Sequence, residues 1–557
     1  MDSPFAAKLG TNYCPTAEEA VEIQAFLAQP LRQMKSLDRK IAELQHALNK
    51  LLEEREGLGS IVQSHEALLS SIRRMPADMM QEIFLACLPT HRNCVMDARE
   101  APLLLGRICS AWRALSLATP RLWASLHIVD RGEPPQQVES QPDSDIEYVP
   151  WPVAPQEPRA ALVEDAVREW LERAGHCPLS ISLQYDLELG YPPSQSIIQT
   201  IFSLASRWRH IRFAATAPAF QELAQLNAAD VPELQSVGLQ YKAGWGSPGF
   251  TWDTLSFIAG ARIKAVTVHG AGPGLLELPV EWTRLTVLSN LPFPDEDLTR
   301  TGDYSRLEIE AGLLAMSRCP QLRSLSFVLT SHFDITSVGQ LPFVDHHLLQ
   351  TLHLSGGGTA LSTLLERISV PQLKGLELVT AMGDSWGSTP RRDSFSEPSL
   401  IRFLATVPLL ESLSLTTGII DSSSLPEILL HLPRSLRHLH INADKAHASM
   451  YYAADSPVDF LASLVVPGST IPLLLLRDFD IAIAGEEAIS DETLLQFITA
   501  RASTLKRVKI CFERAMDCDI RETLSPLIEN GLDFAVTYTP PNIHKYSPWT
   551  GLPDVVL

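Results

Sequence analysis

The chain has 557 residues, 45% hydrophobic and 20% charged, the composition of a folded rather than a disordered protein. With 45 basic against 65 acidic residues the formal net charge is −20, so a phosphate backbone is repelled and nucleic acid is a poor default partner. No run approaches the ~18 consecutive apolar residues of a membrane helix. The opening residues lack a basic-then-apolar secretory pattern, and the eight cysteines are scattered without C-x-x-C spacing. A cytoplasmic or nuclear protein with reduced thiols is the expectation.

Residues 1–25 read as a flexible N-terminus, followed by a heptad segment over 26–73. With Met34 as an a position, the a series is Met34, Ile41, Leu48, Arg55, Val62 and Leu69. The d series is Leu37, Leu44, Leu51, Leu58, His65 and Ile72. Ten of these twelve are apolar, which describes a coiled-coil seam able to self-associate through residues 34–72. Arg55 and His65 interrupt the seam, and Gly57 and Gly59 lower helicity in its middle. Two shorter helices, folded on each other or onto the next segment of the chain, would produce the same pattern.

A helical module is expected over 74–128. In "MPADMMQEIFLACLP" (75–89), Pro76 suits a helix start, and Met79, Met80, Ile83, Phe84, Cys87 and Leu88 cover two adjacent helical stripes. One stripe suffices for an internal core, so the second is a candidate binding surface. Residues 129–160 are rich in proline and acid and read as a linker.

From there a pattern apolar-x-x-apolar-x-apolar recurs. It appears as "WRHIRF" (208), "LQSVGL" (234), "IKAVTV" (263), "WTRLTV" (282), "LRSLSF" (322) and "LQTLHL" (349). It continues as "LKGLEL" (373), "LESLSL" (410), "LRHLHI" (436), "LRDFDI" (476) and "LKRVKI" (505), with "WASLHI" (123) and "PLSISL" (178) as earlier members. Amphipathic segments such as "EDAVREWLERAG" and "SDETLLQFITARAS" lie between them. One short strand and one helix every ~20–29 residues is leucine-rich-repeat arithmetic, and this chain's spacing is slightly longer and irregular. No unit buries its own apolar face, so an α/β solenoid over 161–540 is the economical fold. Residues 379–398 read as a flexible loop within it and 541–557 as a tail.

These units resemble leucine-rich repeats in degenerate form, without the family's Asn or Cys after most L-x-L elements. The segment "MPADMMQEIF" resembles the opening of the F-box: Pro76, Ile83 and Phe84 match outright, and Met75, Asp78, Met79 and Met80 stand for the family's Leu, Glu and aliphatics. Downstream, "LGRICSAWRALSLATPRLWASL" resembles the second half, through Ile108, Cys109, Trp112 and Arg113 and then Leu122 and Trp123. The spacer 89–102 is longer than in a minimal F-box and resembles the F-box-like proteins of mushroom-forming fungi.

The resemblance implies a substrate adaptor of an SKP–cullin–F-box ubiquitin ligase. The SKP-type adaptor would be contacted by Met75, Pro76, Met79, Ile83 and Phe84, and through it a cullin. Trp112, Leu122 and Trp123 would pack the module, and the solenoid would hold a protein target. A scaffold that oligomerises through the heptad helix without joining a ligase is the alternative.

Other signals are weaker. "SGGGTALSTLLER" (355–367) lacks a complete phosphate-loop pattern and reads as a strand-to-helix turn. His438 and His440 share one strand face, where two ligands alone make no zinc site and contact with a target is the simpler role. His346 and His347 read as loop residues, and "RRDS" (391–394) suits a basophilic kinase. No catalytic motif, metal site or cofactor is expected.

Overall fold

In the computed structural model the described residues are 4–69, 71–130, 157–185, 194–241, 250–260, 262–269, 271–291, 307–330, 341–380, 395–416, 425–442, 461, 473, 475–483, 489–512, 516 and 518–538. The core of the expected linker, most of the expected loop within 379–398, the kinase-type motif and the 541–557 tail lie outside them. The chain divides into two compact units, Met1–Ile83 and Phe84–Leu557.

The first unit is dominated by one helix, Ala17–Leu69, of 53 residues. It begins inside the segment expected to be flexible, and the reason is local. Glu19 N–H donates to Thr16 Oγ1 (3.3 Å), and Thr16 N–H donates back to Glu19 Oε2 (2.9 Å). This reciprocal pair satisfies two end donors that the helix itself cannot. Lys8 Nζ reaches the same carboxylate at 2.6 Å, and this bond chiefly holds the Glu19 carboxyl down to about 2. As far as Leu69 the heptad segment is one continuous helix, not two folded together; Ile72, the last expected d position, lies in the 3-10 turn Ser71–Arg74. Gly57 and Gly59 both lie inside the long helix with open space where a side chain would be.

The second unit is built on a parallel sheet whose strands are β1 (Ser125–Asp130), β2 (Leu179–Tyr185), β3 (Trp208–Ala215), β4 (Ser236–Tyr241), β5 (Ala265–His269), β6 (Val287–Leu291) and β7 (Ser324–Val328). It continues through β9 (Thr351–Gly356), β11 (Gly375–Thr380), β12 (Ser412–Thr416), β13 (His438–Asn442), β14 (Asp478–Ile483), β15 (Arg507–Phe512) and β16 (Asp533–Tyr538). Neighbours in the sheet are neighbours in the chain throughout, apart from the short pair β8 (Val344–Asp345) and β10 (Ile368–Ser369), which stands aside. A sheet in pure chain order, with each strand touching only its two neighbours, is a repeat solenoid.

The repeat pattern explains the register. Position four of each unit, from Leu126 and Ile181 to Val508 and Phe534, is buried. Position six is buried in most units, while positions three and five alternate to the other face. Backbone bonds between units are equally regular. The carbonyl at position two accepts two N–H groups from the next unit, as Lys374 O does from Glu411 (2.8 Å) and Ser412 (2.9 Å). The same sharing recurs at Gln235, Lys264, Thr286, Arg323, Gln350, Glu411, Arg437 and Arg477.

Three details differ from the sequence expectation. The unit at 282 is displaced: residues Trp282–Arg284 form a 3-10 turn, and Leu285 takes the first apolar position ahead of β6. "WTRLTV" fits the motif completely, whereas the observed unit "LTVLSN", offset by three, has Asn290 in its last apolar position, and strand pairing selects the latter. The last strand, β16, went unread because its unit carries Gly531 where the first apolar residue belongs, in the left-handed region at φ 100°. The helix Glu397–Thr406 begins within the expected 379–398 loop, and β11 ends at Thr380.

The glycine run behaves as a strand-to-helix turn: β9 ends at Gly356 and a helix spans Gly358–Glu366. A Cβ on Gly356 would lie 3.0 Å from both the Cβ and the carbonyl oxygen of Leu329. Gly356→Ala is therefore expected to cost about 1–3 kcal/mol by overpacking, read as a lower denaturation midpoint. Gly57→Ala with Gly59→Ala, in contrast, is expected to raise helicity at 222 nm and stabilise the helix by ~0.5–1 kcal/mol per site.

Candidate functional site

Helix Ala77–Ala86 separates its two apolar stripes cleanly. Met80 and Phe84, one turn apart, are 4% and 0% exposed. Met79 and Ile83, also one turn apart, are 55% and 37% exposed. Of the five residues expected to contact an adaptor, Met79, Ile83 and Pro76 are exposed and Met75 is half-buried. Pro76 precedes the helix, and its carbonyl accepts the Met80 N–H at 3.1 Å.

Phe84 corrects the expectation. Its ring packs at 4.9 Å against Trp112, so it belongs to the core and offers no surface to a partner. The reason is helical phase: Phe84 lies on the Met80 stripe, and a sequence match alone does not reveal which stripe turns inward.

The short helices after it are part of the solenoid unit. Cys109 caps helix Ser110–Leu117, its sulfur accepting from Trp112 N–H. Leu122 and Trp123 are fully buried. Trp123 donates Nε1–H to Ser116 O (2.9 Å), meets Trp170 edge-on at 4.9 Å and lies under the Arg173 guanidinium at 4.6 Å. Trp170 and Arg173 come from helix Glu157–Arg173, beyond the expected linker, so these tryptophans join the module to the first repeats. Ile108, part of the sequence resemblance, remains exposed, as do Leu104 and Leu117, which were not singled out from the sequence.

The strand face away from the buried positions is the second candidate. At its N-terminal end the spacer 89–102 folds across it. Asn93 Oδ1 accepts from Ser125 (2.9 Å) and Ser180 (2.7 Å), and Nδ2 donates to Ser182 at 3.0 Å. His127 N–H, on the outer edge of β1, donates to Cys94 O at 2.7 Å, which covers part of an otherwise open sheet edge. Strands β4 to β7 then present small groups, among them Gly238, Thr267, Ser289 and Ser326.

From β9 onward charged groups appear on the face at β9 and β11 and again at β13–β16, with Ser412 and Ser414 of β12 between them. His353 Nδ1 lies 2.8 Å from Glu377 Oε2, His438 Nδ1 2.6 Å from Asp478 and His440 Nδ1 3.4 Å from Asp480. Lys509 adds a contact to Asp480 at 4.0 Å, and Arg507 meets Asp533 at 3.1 Å. Exposed pairs of this kind contribute only ~0–1 kcal/mol each, so the row defines a recognition surface more than it holds the fold. His438 and His440 do share a face; their aspartate partners were missed, although "LRHLHI" and "LRDFDI" place His and Asp at identical repeat positions. His346 and His347 lie outside helix and strand, as expected of loop residues; His346 is buried, with Nε2 2.7 Å from Cys319 O, while His347 is exposed.

Among the described residues no three His, Cys, Asp or Glu groups converge as metal ligands, and no helix is long and apolar enough to cross a membrane. Burial pushes the Cys94 thiol up and that of Cys319 up to about 12, so both act as packing residues.

No family model matches the chain, and no curated protein matches it. Among solved structures it is similar to the leucine-rich repeat-containing protein LegL7 from Legionella pneumophila. That likeness is 15% identity over 48% of this chain and 84% of that chain, with a TM-score of 0.28. At that level the repeat architecture rests on the strand order and register described above.

The hydrogen bond from His353 holds the Glu377 carboxyl below its ordinary value of 4.5, against the opposing effect of burial. A depressed carboxylate contributes stability above its unfolded pKa, and that contribution is lost as pH falls through the lower, folded value. An NMR titration of Glu377 is expected to show a midpoint below 4.5, rising in His353→Ala. An unchanged midpoint in that variant would show the bond to be unimportant.

Proposed function

We propose that this chain is a recruiting adaptor, docking through helix Ala77–Ala86 on an SKP-type protein of an SKP–cullin–F-box ubiquitin ligase and holding a protein target on its strand face. One observation carries the reading. The helix that resembles the F-box opening buries Met80 and Phe84 yet leaves Met79 and Ile83 in water, an arrangement suited to a partner's apolar groove. The charged groups on β9 and β11 and on β13–β16 support the second half, because within each set they offer donors and acceptors in register at the ~4.8 Å strand spacing. In this reading the chain performs no chemistry, needs no cofactor and works in the cytoplasm or nucleus.

The scaffold reading, without a ligase, is favoured by a separate observation, the fully exposed heptad seam of helix Ala17–Leu69.

The test is binding of the full chain to a purified SKP-type adaptor. Met79→Ala with Ile83→Ala is expected to weaken binding by at least ~30-fold, the equivalent of ~2 kcal/mol at a central anchor, while thermal stability holds. Phe84→Ala is expected to lose ~3–5 kcal/mol of stability instead. A folded wild-type chain that does not bind overturns the ligase reading.

A further inference from the structure

The seam of helix Ala17–Leu69 is bare. Met34, Leu37, Ile41, Leu44, Leu48, Leu51, Leu58, Val62 and Leu69 are all between 52% and 72% exposed. At 1.5 Å rise the stripe from Met34 to Leu69 runs ~54 Å. An amphipathic helix whose seam residues are exposed draws little stability from packing along that stripe, and this one carries two interior glycines besides. A second helix is required, and the seam itself specifies which.

We infer that the second helix is a copy of this chain, joined as a parallel, in-register, two-stranded coiled coil. Three features carry this. The a positions include the β-branched Ile41 and Val62 while the d positions at 37, 44, 51 and 58 are all leucine, the combination that favours two strands. A single basic residue, Arg55, occupies one a position. In the parallel arrangement it lies beside Glu54 of the second copy at the preceding g position, so its charge is answered only when the register is correct.

The flanking charges then choose the direction. In parallel the g-to-e pairs are Gln33 with Asp38, Lys40 with Gln45, Ala47 with Leu52, Glu54 with Gly59 and Ile61 with Glu66, none of them like-charged. An antiparallel alignment that matches the seam's two ends sets Asp38 against Glu66 and Glu54 against Glu54, both repulsive. A heterologous helix would need no such self-consistency. Pairing is independent of any ligase, and the dimer carries two strand faces, so a target with repeated epitopes is bound with avidity.

Light scattering on the full chain is expected to return twice the 61.5 kDa chain mass. Leu44→Asp with Leu51→Asp is expected to return one, with the strand signal in far-UV circular dichroism kept. Under mild oxidation Leu37→Cys alone is expected to form a disulfide dimer well above the background from the native thiols. A single-chain mass for the folded wild type, or a three-chain mass, overturns the proposal. So does a Leu37→Cys chain that cross-links only when mixed with a Leu69→Cys chain, the antiparallel signature. Adaptor binding is read from Met79 and Ile83, so failure of either proposal is seen separately.

Discussion

The solenoid depends on one backbone arrangement, repeated at nine junctions among the described residues: the carbonyl at position two of a repeat shared between two successive N–H groups of the next. That residue belongs to neither strand's regular ladder, so sharing its oxygen locks the phase of one repeat to the next before any side chain packs. It makes no demand on side-chain type. Gln235, Lys264, Thr286, Arg323 and Glu411 all serve, which is why the chain keeps its repeat while lacking most of the asparagines expected of leucine-rich repeats.

This explains the tolerance for uneven spacing. Only about six residues per unit are constrained, three of them the inward-turned positions one, four and six, and each buried Leu or Val adds ~1.5–3 kcal/mol of burial free energy. The segments between units are limited mainly by the need to cover the inner face. Helices do this at Glu397–Thr406 and Asp491–Ala500, and short 3-10 turns do it after β4 and β5. The linker expected at 129–160 is interrupted at both ends by this requirement. Val129 and Asp130 complete β1, and helix Glu157–Arg173 supplies Trp170 to Trp123. A buried contact ties the Asp130 carboxylate to the Ser194 hydroxyl (2.7 Å) and N–H (2.9 Å) at the start of helix Gln195–Phe202.

The same logic of faces governs both proposed contact surfaces. A helix with two apolar stripes that buries one leaves the other in water, and the described residues of the heptad seam are exposed along its length. On the sheet, alternation turns every second side chain outward, so the character of that face is set by residues free of any duty in the core. Small uncharged residues fill β4 to β7 and charges fill β13 to β15, a division that packing does not require.

The sequence by itself determined what is periodic. The recurrence of apolar-x-x-apolar-x-apolar identified thirteen of the fourteen main strands, and the heptads located the long helix, because period two and period seven are written in apolar residues alone. Three kinds of feature needed the tertiary structure. Phase was one: Phe84 inward with Met80 rather than outward with Ile83 is a choice between stripes that the pattern fits equally well, and Leu285 opens its repeat in place of Trp282 although Asn290 then fills the last apolar position. Strand exchange was another: Asn93 over Ser125 and Ser180, or His438 beside Asp478, are contacts between residues distant in the chain and invisible until the register is known. Boundaries were the last, since a module that contributes a strand to the sheet cannot be separated from it by composition.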